Sequence, residues 1–124
     1  MKHGFLKVAC ALPKIKIADT SYNADEIINI AKEAHSQGVK VLVFPELCIS
    51  AYTCGDLIFS PVLLDASLNA LKAYVAKTKS FDMLSVVGLP ILHKDKIYNC
   101  AAVVKGGEVQ KFSGVSDIKK MLNV

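Results

Sequence analysis

The sequence contains neither arginine nor tryptophan, and all fifteen of its cationic side chains are lysines. These lysines are spread along the chain, and the densest groups hold only two or three of them. Proteins that recognise nucleic acids depend on arginine for bidentate contacts to phosphate and guanine. The absence of arginine therefore argues against a nucleic-acid partner, in spite of the net charge of +4.

A long apolar segment is also missing. The most apolar stretch, residues 83–92, is interrupted by Ser85, Gly88 and Pro90. A membrane-spanning helix needs about eighteen or more consecutive apolar residues. No signal-peptide pattern precedes the first predicted strand either. We therefore expect a cytoplasmic protein without a membrane partner.

Metal-binding and disulfide patterns are absent as well. The four cysteines (Cys10, Cys48, Cys54 and Cys100) form no Cys-x-x-Cys pair, and the three histidines lie far apart. This spacing predicts no metal site and no secreted disulfide framework. Cys10 and Cys100 lie in strand-like apolar segments, where buried reduced thiols are common.

Apolar periodicity predicts an α/β protein with the element order β-α-β-α-β-β-β. The predicted strands cover residues 5–12, 39–44, 83–89, 97–104 and 108–112. Asn23 and Glu26 have the spacing of a capping box, and Pro61 suits the first position of the second helix. Gly106-Gly107 predicts a tight hairpin.

Glu46 is the most informative single residue. It follows the apolar stretch 41–44 and is the only acidic residue between Glu33 and Asp56. In open α/β sheets, ligand sites form at the carboxyl ends of the strands. We expect this carboxylate to be partly dehydrated there, which requires a partner or a function.

Three segments together carry a resemblance to a known family. They are Phe44-Pro45-Glu46-Leu47 with Tyr52 and Gly55-Asp56, then Val87-Gly88-Leu89-Pro90, and Tyr98-Asn99-Cys100-Ala101-Ala102. They resemble the signatures of the nitrilase (carbon–nitrogen hydrolase) superfamily over residues 5–109. Residues 46–57 look most like the amino-terminal glutaminase domains of glutamine-dependent NAD synthetases.

The resemblance implies a fold and a domain assignment. It implies an incomplete nitrilase-like αββα sandwich with a mixed β-sheet and two main helices. Residues 1–112 would be the N-terminal part of a carbon–nitrogen hydrolase domain, and residues 113–124 a divergent tail. A truncation, or a frameshift near residue 112, would explain that tail. The uncovered sheet face should then make the chain a homo-oligomer.

The resemblance also implies a Glu-Lys-Cys catalytic set, in which Glu46 is the general base and Tyr52 binds substrate. Lys111 and Lys119 are two alternative candidates for the lysine. No cysteine matches the nucleophile, because Cys48 and Cys54 share the loop of the base itself. The resemblance implies no metal.

The implied function is that of a fragment of a glutamine amidohydrolase domain, inactive by itself. Its substrate would be a small amide, glutamine in the complete enzyme. The chain would bind no cofactor, since ATP would bind a separate synthetase domain. Two alternatives stay open: a fragment of a stand-alone amidase or nitrilase, and a non-catalytic interaction or pseudo-enzyme piece.

Overall fold

The computed structural model describes residues 4–17, 19–50 and 60–113. The five strands are β1 (Val8–Cys10), β2 (Val41–Val43), β3 (Leu84–His93), β4 (Lys96–Lys105) and β5 (Glu108–Phe112). The two helices are α1 (Thr20–Ser36) and α2 (Pro61–Lys77). This mixed α/β architecture confirms the predicted fold class and element order.

The strands form one five-stranded sheet in the order β1-β2-β3-β4-β5. β1, β2 and β3 are parallel, with α1 and α2 in the two crossovers, and β3, β4 and β5 are antiparallel. Two-residue turns at Lys94-Asp95 and Gly106-Gly107 join the antiparallel strands, and all four residues have positive φ. That geometry suits two-residue hairpins and confirms the Gly106-Gly107 prediction.

Only one face of the sheet packs against the helices. Its side chains form the core with α1 and α2, and the core includes Leu42, Val87, Leu89, Ala102 and Val104. On the opposite face, one row of paired residues crosses all five strands: Cys10, Val43, Val86, Val103 and Lys111. We call the face that carries this row the open face. No helix among the described residues is long and apolar enough to cross a membrane.

The first strand is shorter than predicted, and one of its cysteines is not buried. The prediction covered residues 5–12, whereas β1 pairs only over Val8–Cys10. Phe5 and Leu12 outside it are 79% and 90% exposed. Cys10 is also exposed, because it lies on the open face at the sheet edge. The prediction of a buried Cys10 was wrong, and that of a buried Cys100 is confirmed.

The helix cap also differs from the prediction. Helix α1 begins at Thr20, and the Asp19 side chain accepts a hydrogen bond from the Tyr22 backbone N–H at 3.1 Å. Asn23 therefore lies inside the first turn and is completely buried. The capping-box prediction for Asn23 and Glu26 was wrong because Asp19 caps the helix one turn earlier.

β3 continues through Pro90, where the prediction ended it. The Val86 and Gly88 carbonyls both accept hydrogen bonds on the side of β3 that faces β2 and the turn that follows it. Backbone groups alternate along a strand, so Pro90 faces the same side. β2 pairs with β3 only as far as Val86. A proline beyond that point costs no hydrogen bond between strands.

Candidate functional site

Glu46 begins a turn directly after β2, and β3 holds this turn in place. The Phe44 N–H donates to the Val86 carbonyl at 3.0 Å, and the Ile49 N–H donates to the Gly88 carbonyl at 3.3 Å. All four residues from Leu47 to Ser50 are buried. Burial of the turn fixes the backbone on which the Glu46 side chain stands.

The turn has one strained residue, Leu47, whose φ is +52°. A non-glycine residue in this left-handed region costs about 1 kcal/mol or more and persists only where its surroundings impose it. Here the surroundings are the packed turn and the strand beneath it. Such strain is concentrated at functional sites.

Gly88 provides the surface on which the turn rests. A Cβ atom at this position would lie 2.6 Å from the Leu47 nitrogen and 2.9 Å from the Pro45 oxygen. Both are backbone atoms and cannot move aside as a flexible side chain could. Only glycine lets the turn approach β3 this closely, which explains a glycine inside a strand.

Asn23 ties the same turn to α1. Its amide Nδ2 donates to the Ile49 carbonyl at 2.7 Å and to the Lys16 carbonyl at 2.8 Å. Its Oδ1 accepts from the Lys16 N–H at 2.7 Å. One buried side chain thus satisfies backbone groups of two separate loops.

The Glu46 carboxylate borders a cleft of about 350 Å³. Apolar residues Val43, Val86 and Ala101 and polar residues Glu46, Asn99 and Ser113 line this cleft. Asn99 Nδ2 donates a hydrogen bond to Glu46 Oε1. The structure therefore places Glu46 at the carboxyl end of β2 and beside a concavity, as the sequence predicts.

The degree of burial does not match the expectation. The Glu46 side chain is exposed, so the expectation that its carboxylate is partly dehydrated is wrong. The cleft opens on the open face of the sheet, which no described helix covers, and water reaches the carboxylate there. Only further protein packed over that face would dehydrate it.

Neither lysine candidate pairs with Glu46 in the described part of the chain. Lys111 is exposed on the open face and does not line the cleft. Lys119 lies outside the described residues. The only ion pair among residues 4–17, 19–50 and 60–113 joins Lys40 and Asp82 at 3.1 Å. The Lys40 ammonium holds the pKa of the Asp82 carboxyl below its usual value.

The two buried cysteines, Cys48 and Cys100, are poor nucleophiles for this cleft. Burial raises the pKa of the Cys48 thiol to about 11, and the thiol donates a hydrogen bond to the Gly88 carbonyl. Burial also raises the pKa of the Cys100 thiol. Both groups are therefore protonated near neutral pH. Cys54 and the substrate-binding candidate Tyr52 lie outside the described residues.

Three residues of this region were not predicted as site residues: Asn99, Gly88 and Asn23. Gly88 carried a usable signal, because a glycine inside an apolar strand marks a close approach of other backbone. Asn99 interrupts an apolar strand in a similar way. Asn23 resembled a cap so closely that its role as a buried tie could not be seen in the sequence.

Comparisons with known proteins identify the family of the chain. Residues 7–116 match the family model described as carbon-nitrogen hydrolase. The glutamine-dependent NAD(+) synthetase of Mycobacterium tuberculosis is 36% identical over 108 residues, which cover 87% of this chain and 16% of the relative.

Solved structures give the same result for the fold. A glutamine-dependent NAD(+) synthetase from Cytophaga hutchinsonii has a TM-score of 0.81 at 27% identity, covering 86% of this chain and 18% of that one. An amidase from Nesterenkonia sp. has a TM-score of 0.69 at 21% identity, covering 86% of this chain and 41% of that one. The chain thus spans less than a fifth of these two synthetases and less than half of the amidase.

Proposed function

Because the chain belongs to the carbon-nitrogen hydrolase family, we propose that it forms the base-bearing part of a glutamine amidohydrolase domain. The domain would be of the kind expected in glutamine-dependent NAD synthetases, where it supplies ammonia. In this proposal Glu46 is the general base. The observation that carries the proposal is the placement of Glu46 beside a cleft at the carboxyl end of β2, with one oxygen bound by Asn99.

The cleft suits the chemistry of a small amide. Its volume lies near the lower end of the range of about 300–1,000 Å³ that is typical of small-molecule sites. Apolar walls would hold an aliphatic stem, and the polar groups at Glu46, Asn99 and Ser113 would face the reacting end. A glutamine side chain has both of these parts.

The proposed mechanism is covalent catalysis by a thiol. Glu46 would accept the proton of a cysteine thiol, and the thiolate would attack the carboxamide carbon. The protonated base would return a proton to the departing ammonia, leaving a thioester that water then hydrolyses. A lysine ammonium would stabilise the negative charge on the tetrahedral intermediate. The thiol has no match among the described residues, so the proposal assigns it to other protein segments.

Substrate contacts and partners follow from the same proposal. Tyr52 would contact the bound glutamine, and either Lys111 or Lys119 would be the lysine of the Glu-Lys-Cys set. This part of the domain would need no cofactor, and ATP would bind only in a separate synthetase domain. The 124-residue chain alone should therefore release no ammonia from glutamine.

The test is a chimera in which residues 7–116 replace the matching segment of the Mycobacterium tuberculosis synthetase. We expect this chimera to make NAD with glutamine as the nitrogen source. Glu46→Gln should lower the glutamine-dependent rate by about a hundredfold or more, because it removes the general base. The measurement is the steady-state rate of ammonia release and of NAD formation.

Free ammonium is the internal control. It bypasses the amidohydrolase site, so a folded chimera should use ammonium equally well with Glu46 or with Gln at this position. A glutamine-dependent rate that is unchanged by Glu46→Gln would contradict the proposal. So would a chimera that uses ammonium but not glutamine.

A further inference from the structure

We propose that Asn99 is the positioning residue of Glu46, and that its amide determines which carboxylate oxygen receives the proton. This inference rests on the proposed function of Glu46 as the general base. Nothing in the motif around Glu46 points to Asn99, which lies 53 positions away in sequence. The pairing arises only when β4 is placed beside β3.

Strand β3 positions both Asn99 and Glu46. Asn99 lies on β4 directly opposite Pro90 of β3. Glu46 stands on the turn that packs against Gly88, two residues before Pro90 on β3. The register of β3 and β4 therefore sets the distance between the amide and the carboxylate. Sites built on paired strands hold such distances more precisely than sites built from loops alone.

The chemistry of the contact suits a base better than an ion pair would. An ionised carboxylate only accepts hydrogen bonds, so the amide must present its N–H group to it. A neutral amide orients the carboxylate without cancelling its charge. Among residues 4–17, 19–50 and 60–113, Asn99 is the only hydrogen-bond partner of Glu46. Oε1 is occupied by this bond, and Oε2 is left to accept the proton.

The simpler alternative is that Asn99 only fills space and supports the turn. An isosteric change separates the two roles. Asn99→Asp keeps the size and shape but replaces the donor with an oxygen of the same charge as Glu46. If Asn99 only fills space, the Asp variant should work and the smaller Ala variant should be impaired. If Asn99 positions the base, the Asp variant should be the worse of the two.

The expected result concerns kcat of the glutamine-dependent reaction in the chimera. Asn99→Ala should lower kcat by about ten- to a hundredfold, the usual effect of losing a hydrogen bond to a charged group. Asn99→Asp should lower it further, and KM should change little. In the Glu46→Gln background, Asn99→Ala should have no additional effect, because Asn99 acts only through Glu46. Asn69→Asp on the exposed side of α2 is the charge-matched control and should leave the rate unchanged.

A measurement on the 124-residue chain tests the contact without any activity. We expect Glu46→Ala to shift one side-chain amide proton of Asn99 upfield in the ¹⁵N-correlated NMR spectrum, and to leave the Asn69 amide in place. An unchanged Asn99 signal would overturn the positioning role, whatever the chimera does.

The two proposals fail in different ways. A chimera that depends on Glu46 but tolerates both Asn99 variants would overturn the role of Asn99 alone. A chimera whose glutamine-dependent rate is independent of Glu46 would overturn the role of the base, and with it the role of Asn99. An Ala variant that is worse than the Asp variant would support the space-filling role instead.

Discussion

At the scale of single residues, burial decides which cysteine thiols can react. Cys48 is only two residues from the proposed base, yet its side chain is completely buried under the turn. Burial disfavours the thiolate, because a charge without water around it is unstable. Cys48 is therefore a structural residue of the turn, in agreement with its exclusion as the nucleophile.

This burial predicts a loss of stability at alkaline pH. The pKa of Cys48 is raised from 9.0 to about 11, so the unfolded chain releases this proton first and unfolding is favoured as pH rises above 9. The contribution is fully present below pH 9, and its loss by pH 11 amounts to about 2–3 kcal/mol. Urea unfolding at pH 8 and pH 11 measures the difference.

Cys48→Ala should reduce this pH dependence, even though the cavity it leaves lowers stability at both pH values. The matched control is Cys10→Ala on the exposed edge strand, which should keep the pH dependence of the wild type. Equal alkaline losses in the wild type and in the Cys48 variant would contradict the assignment.

At the scale of elements, the Glu46 turn is held between β3 and α1. Gly88 contacts it from the sheet, and Asn23 holds it from the helix. The turn cannot shift without breaking one of these contacts. The position of Glu46 thus depends on β3, on α1 and on the turn itself.

Removing the Asn23 tie should loosen the turn. Asn23→Ala leaves the buried Ile49 carbonyl and the part-buried N–H and C=O groups of Lys16 without this partner. We expect a loss of about 2–4 kcal/mol in the free energy of unfolding, since each buried unpaired group costs about 1–3 kcal/mol. Urea unfolding checks the loss, and faster hydrogen exchange at the Ile49 amide checks the loosening.

The control for this change is Asn69→Ala, an asparagine replaced at an exposed position of the other helix. It should leave stability nearly unchanged, because surface substitutions usually have effects within about 0.5 kcal/mol. If the two alanine variants were equally stable, Asn23 would not be a tie between the turn and α1.

The sequence predicted the order of elements well because that order follows from local patterns. Apolar periodicity and the Gly106-Gly107 turn depend only on neighbouring residues. The predictions that were wrong share one cause: each depends on contacts with residues that are distant in sequence. Pro90 fits inside β3 because β2 ends at Val43 and does not pair with β3 at that point. Asn23 is a buried residue of α1 whose side chain donates to the Ile49 carbonyl, a contact between distant parts of the chain. The site was predicted at Glu46 and not at Asn99, whose role depends on strand pairing.

At the scale of the whole molecule, α1 and α2 cover one face of the sheet, and no other described helix or strand packs on the open face. The open face presents apolar residues from four strands, among them Val8, Val41, Val86 and Val103. Val8 is 62% exposed. The exposure of this face could not be predicted from the strand sequences alone, because their apolar runs are typical of strands that are covered on both faces.

We expect the isolated 124-residue chain to self-associate through this face, since exposed apolar patches favour association. Val103→Lys should make the chain monomeric, because it places a charge in the middle of the open face. Light scattering after size-exclusion chromatography measures the molar mass. Val62→Lys, at a position of α2 that is 78% exposed, is the matched control and should leave association unchanged. A wild-type chain that is monomeric at high micromolar concentration would refute this expectation.

The strand order has a consequence for biosynthesis. Because the strands lie side by side in the order in which they occur along the chain, each one can join the edge left by its predecessor as the ribosome releases it. None of these five strands must wait for a later one of the five to be inserted between two others. Synthesis proceeds at about 5–20 residues per second and folding starts from the amino terminus. The cleft beside Glu46 is thus completed only after β5, when Ser113 has emerged.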